Sequence, residues 1–184
     1  MHFESGNSGS LITYKGLTPK VHPSAFICEG VKIIGDVEIG MNVSIWYNTV
    51  IRGDVHHIKI GERTNIQDMS MLHVTNGVHP LIIGKDVSIA HSVSLHGCTI
   101  KDGALIGIGA IVLDGAVVGE GALVAAGALV REGQVVPPNT LFAGVPGKVV
   151  RELTEAERER VSSTIPHYIE YAREYREGLV NFKG

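Results

Sequence analysis

Three of the nine histidines in this 184-residue chain, His73, His91 and His96, stand in register on a six-residue repeat. His73 and His96 each follow directly on the aliphatic residue of a hexad, Leu72 and Leu95, while His91 comes two residues after Ile89. Histidine is a common metal ligand. Three neutral imidazoles around zinc leave a fourth tetrahedral position open, the arrangement of a catalytic site rather than a closed structural one. A metal held that way lowers the pKa of a bound water to about 7, so the chemistry to expect is attack by an activated water.

The element that must position these side chains is the repeat itself. Aliphatic residues recur at Ile27, Ile33, Ile39, Ile45 and Ile51, at Ile60, Ile66 and Leu72, and at Ile83, Ile89 and Leu95. The run resumes at Ile100, Ile106, Val112, Val118, Val124 and Val130. This period predicts a parallel β-helix, in which stacked coils bury a core that no single coil could bury. Three hexads make a triangular turn of roughly eighteen residues. The spacing stretches after Ile51 and after Leu72, which predicts short corner loops at His56-His57-Ile58-Lys59 and at Thr75–Pro80. Gly107, Gly109, Gly115, Gly119, Gly121 and Gly127 are expected at corners of positive φ. Pro137-Pro138 is expected to end the repeat, since proline cannot donate to a ladder.

Beyond Val150 the period changes. Thr154 with Glu157 three residues on is a capping box, and Val161, Ile165, Tyr168, Ile169 and Ala172 form one apolar stripe. A helix is expected from there to about Glu177, lying along the outside of the prism, with Pro166 as a possible break. The expected organisation is a flexible tail over 1–10, a β-helix over 11–150, and a helix with its tail over 151–184.

Reading the coils by column places Arg52, His73 and His96 along one corner, and Tyr47, Asp68 and His91 along another. Adjacent coils are about 4.8 Å apart, so His73 and His96 can share a metal. His91 of the same chain points away from them, whereas His91 of a neighbouring chain can join them. The expected assembly is therefore a homotrimer with three interfacial sites, closed by cyclic symmetry. Arg52, Asp54 and Asp68 are expected to form an interface ion network, with Arg52 offering its rigid fork to Asp68 of the neighbour. Gln67 is placed to hydrogen-bond the activated water or a substrate oxygen. Tyr168 could bring its hydroxyl over the site, and His79 could carry protons.

Composition excludes several other classes. A formal charge of −3 offers no electrostatic footprint for nucleic acid. No segment approaches the ~20 apolar residues that span a bilayer, and the start lacks the apolar core of a secretion signal. Cys28 and Cys98 form no motif and read as reduced thiols. A cytoplasmic protein is expected.

At these residues the chain resembles the gamma-class carbonic anhydrase family, the left-handed β-helix enzymes. The matching pieces are Arg52-Gly53-Asp54, Gln67-Asp68 followed by His73, His91 with His96, Gly84 within its hexads, and Ala143-Gly144-Val145-Pro146 followed by Arg151-Glu152-Leu153-Thr154. The likeness covers about residues 11–175. It implies an all-β, left-handed parallel β-helix of hexapeptide repeats with a C-terminal α-helix packed along it. It also implies a homotrimer with zinc (iron or cobalt being alternatives) at each interface, and reversible hydration of carbon dioxide to bicarbonate. The chain departs from the archetypal member at two places. Val55 stands where that protein has a glutamate, and Thr75-Asn76-Gly77-Val78-His79 replaces its acidic proton-transfer loop. Other readings open at this level are an acyl-CoA thioesterase using the same metal, a hexapeptide acyltransferase, and a weakly catalytic metal-binding scaffold.

Overall fold

A hexad has room for a two-residue strand and a four-residue turn, and the molecule is built from that unit. The computed structural model describes residues 8–178. They form a parallel β-solenoid of about seven turns with one C-terminal helix, as the repeat predicted. Each repeat aliphatic from Ile27 to Val130 is at most 3% exposed. The helical stack thus owes its core to a single column of side chains per face, and burying each aliphatic contributes about 1.5–3 kcal/mol.

One face is a sheet of eight strands, running from Phe26–Ile27 through Ser44–Ile45, Asn65–Ile66, Ser88–Ile89 and Leu105–Ile106 to a final hairpin. The other two faces merge into one twelve-stranded sheet, because Lys32–Ile39 and Val50–Ile60 each continue around a corner without a break. Residues 56–59, expected as a loop, are therefore part of a strand. Gly35 pairs with Gly53 and Val37 with Ile58, so the four residues Asp54–His57 bulge opposite Asp36 alone. The second surplus does leave the stack, closing through a bridge between Thr75 and His79.

Two further expectations are corrected by the backbone. Gly107 and Gly119 do not have positive φ. A Cβ there would stand 2.6 Å from the amide nitrogen of Ala126 or Pro138, so these glycines permit close approach of the next coil. Nor does Pro137-Pro138 end the stack. Thr140–Gly144 adds another rung with Phe142 fully buried opposite Val124, and Gly147–Glu152 then returns antiparallel. At the other end, Ser8 and Ser10 already donate to Ile27 and Val31, and Ser10–Ile12 pairs with Lys32–Ile39. The rest of the expected tail, residues 1–7, lies outside the described residues.

The helix, Glu155–Arg176, starts at a complete capping box between Thr154 and Glu157 and runs through Pro166 unbroken. Proline forfeits one helical hydrogen bond, but Ile165 and Ala172 on either side of it are buried against the prism. Trp46 anchors the contact, edge-on to Tyr168 and Tyr175 at centroid distances of 5.5 and 5.2 Å. No helix among the described residues is long and apolar enough to cross a membrane.

Candidate metal centre

His73 ends the strand Met71–His73 and His96 ends Ser94–His96, which pair in parallel with the two histidines opposite each other. Arg52 follows Ile51 one rung below, since Ile51 pairs with Leu72. Their imidazoles lie edge to face at 5.0 Å between centroids, and His73 Nδ1 is 3.0 Å from His96 Nε2.

What makes this pair more than a filled corner is the other nitrogen of each ring. His73 Nε2 lies 3.1 Å from Asp54 Oδ1, and His96 Nδ1 lies 2.6 Å from Asp114 Oδ1. Burial pushes both carboxyls up, but hydrogen bonds outweigh it and hold them below the usual carboxylate range. For Asp54 the donors are Arg52 and His73; for Asp114 they are Thr75 and His96. Ionised carboxylates only accept, so each imidazole donates an N–H to its aspartate. With both rings in their neutral form, that leaves His73 Nδ1 and His96 Nε2 facing one another with lone pairs across 3.0 Å. Such an arrangement calls for a cation between them. Two nitrogens on one tetrahedral zinc, each at about 2.0–2.1 Å, stand about 3.3–3.4 Å apart, so a few tenths of an ångström of opening admits the metal.

His91 follows Ser88–Ile89 on the eight-stranded sheet, away from that pair. Its Nδ1 lies 2.8 Å from Asp68 Oδ2, which leaves Nε2 as the nitrogen outside that contact. Within one chain no group of three His, Cys, Asp or Glu side chains among the described residues gathers for a metal. By its chemistry the facing imidazole pair suits zinc, while His91 stands on a different sheet.

Arg52 is paired within the chain, its Nη1 donating to Asp54 Oδ2 at 2.6 Å, and Asp68 is engaged by His91. Gln67 is buried, with its Nε2 donating to Asn65 Oδ1 at 3.0 Å. Ser88 also donates to that oxygen. Tyr168 packs on Trp46, and burial followed by the charge of Asp68 pushes its phenol up to about 12. It stays protonated near neutral pH. Cys28 and Cys98 are free and buried, and burial raises both thiols.

Sequence reading missed Asp114, Thr75 and Asn65. Asp114 is recoverable from the pattern, since it stands on the coil above His96 and two residues after Val112. Asn65 precedes Ile66 and so faces outward on the eight-stranded sheet, yet it is buried.

With this geometry in view, the likeness to known proteins can be placed. The family model for bacterial transferase hexapeptide (six repeats) matches residues 18–53 and 97–132. A carbonic anhydrase of Geobacillus kaustophilus is 50% identical over 163 residues, covering 89% of either chain. The chain belongs to the gamma-class carbonic anhydrase family. Among solved structures, a Bacillus cereus protein labelled an acetyltransferase is similar with a TM-score of 0.90 and 47% identity, covering 93% of this chain and 99% of that one. A hexapeptide transferase family protein from Anaplasma phagocytophilum has a TM-score of 0.86 at 45% identity, covering 90% and 97%. Family membership thus spans two kinds of label, and the site has to decide between them.

Proposed function

We propose that this gamma-class chain hydrates carbon dioxide reversibly to bicarbonate, using zinc held between subunits of a homotrimer by His73 and His96 of one subunit and His91 of the next. The observation that carries the reading is the facing pair of imidazole nitrogens, 3.0 Å apart, each ring held on its other nitrogen by an aspartate. Iron or cobalt would be held by the same donors. When bound, such a metal supplies a water of pKa near 7, and hence a nucleophile for carbon dioxide at neutral pH. The chain's own residues do the rest. Asp54, Asp114 and Asp68 set the tautomers and raise the basicity of the three ligands. Gln67, steadied by Asn65, orients a substrate oxygen, and Tyr168 contributes a protonated hydroxyl. His79, in the loop that replaces the family's acidic segment, is the titratable group for proton exit.

Assembly is supported by the surface as well. Met69 and Ile108 are exposed beside the corner that carries His91, and Met71 and Ile111 are exposed on the adjoining face, either side of Ser94. An apolar stripe of this kind marks an association surface, across which Arg52, on the His73 and His96 corner, can meet Asp68 of the neighbour.

The test is metal content and carbon dioxide hydration measured on one anaerobic preparation. Hydration that tracks the metal, and is lost on chelation, supports the proposal; full metal without hydration in any buffer contradicts it. The acetyltransferase label of the Bacillus cereus relative favours a second reading, acyl transfer from a thioester. Acyl transfer that survives chelation would support that reading over the first.

A further inference from the structure

The loop Thr75–Pro80 is tied to the site by a side chain rather than merely passing near it. Thr75 Oγ1 donates to Asp114 Oδ2 at 2.6 Å, while Oδ1 of the same carboxylate accepts from His96 Nδ1 at 2.6 Å. Both oxygens of Asp114 are thus committed, one to a ligand and one to the loop that follows the other ligand, His73. The loop has its own closure, with the Thr75 amide donating to His79 and the Gly77 amide reaching Val55 on the bulge.

The backbone keeps a space open for this carboxylate. A Cβ on Gly97, the residue directly after His96, would stand 2.2 Å from Asp114 Oδ1 and 2.7 Å from the His79 Cβ. A Cβ on Gly115 would meet the His79 ring at 3.2 Å. Two glycines on successive coils therefore form a seat in which Asp114 and His79 lie side by side.

We propose that Asp114 and Thr75 are positioning residues for the metal centre: Asp114 holds His96 in the tautomer that leaves Nε2 free, and Thr75 holds Asp114. The proposal rests on the metal reading above. It gives the loop that stands in place of the family's acidic segment a definite task, which is to fix a ligand. Outer partners of ligating histidines typically change metal affinity by about 10–100-fold when removed. Thr75 acts one step further out, so its loss should weaken binding by a smaller factor, and serine, which keeps the hydroxyl, should restore it.

The experiment is zinc affinity of the intact protein by competition with a chromophoric chelator, alongside the visible spectrum of the cobalt-loaded form. Asp114→Ala is expected to weaken zinc by about 10–100-fold and to alter the cobalt spectrum. Thr75→Val should weaken it less, and Thr75→Ser should match the wild type. Gly97→Ala, which crowds the carboxylate, should resemble Asp114→Ala. If Asp114→Ala does not fold, the Thr75→Val and Thr75→Ser pair decides. Wild-type affinity and spectrum in Thr75→Val and Asp114→Ala, with binding lost in His96→Ala, would overturn the positioning roles alone. Wild-type affinity in His96→Ala would overturn the metal reading and these roles with it.

Discussion

A neutral imidazole has one lone pair to offer, and the carboxylate on its other nitrogen decides where that pair points. Here Asp54, Asp114 and Asp68 make the choice for His73, His96 and His91. Replacing any one of the three histidines with alanine should abolish tight zinc binding in an equilibrium titration, since each supplies a third of the protein ligands. Asp68→Ala should weaken zinc too, an effect beyond the interface pairing that the sequence suggested for it. Asp68 orients His91, whereas Arg52 keeps Asp54 as a partner within its own chain. The carboxylates also give a pH signature. Asp54 and Asp114 are depressed in the folded protein, so their contribution to stability is complete above the ordinary carboxylate pKa of 3.8. It is lost as pH falls through the lower folded values. The metal-free melting temperature should fall steeply below about pH 4, and less steeply in Asp54→Asn. An equally steep fall in that variant would show that Asp54 carries none of the acid sensitivity. Proton exit gives another expectation: hydration should be slow in weak buffer and rise with imidazole concentration, because the replacing loop carries no acidic side chain and has His79 as its one imidazole. Fast turnover without buffer that survives His79→Ala would place the shuttle elsewhere. The histidines were legible because a period of six converts sequence position directly into a column. Asp114 was missed because it contacts His96 from one coil away with a shift of one residue, and Asn65 because a polar residue before an aliphatic looks solvated, yet this one is buried.

At the scale of elements, strands were legible from their buried aliphatics and the helix from its cap and stripe. The bulge Asp54–His57 was not, because extra residues accommodated within a strand leave the same gap in the period as a loop. The final rung was obscured similarly: Pro137-Pro138 breaks the ladder locally, but Phe142 restores the core column eighteen residues after Val124. The helix should be separable from the prism energetically. Thr154→Ala removes a side-chain cap and should cost about 1 kcal/mol. Ile165→Ala, which empties a buried position beneath Pro166, should cost about 2–5 kcal/mol. Chemical denaturation of both variants checks the order. Equal costs would mean that the helix is held by its end rather than by its apolar stripe.

At the scale of the whole molecule, the solenoid separates His91 from His73 and His96 by placing them on different sheets. For the proposed centre a single chain is incomplete, and the proposed chemistry depends on how copies meet. The same geometry gives a direct test by complementation. In a trimer that mixes His91→Ala with His96→Ala subunits, an interface is intact wherever a His91→Ala subunit contributes His73 and His96, and a His96→Ala subunit contributes His91. Around a closed ring about one site in three is of that kind. Co-refolded mixed trimers, separated by affinity tags, should regain close to one tightly bound zinc per trimer and hydrate carbon dioxide at about a third of the wild-type rate, while either variant alone binds none. Mixed trimers that stay as empty as their parents would contradict a metal centre shared between subunits.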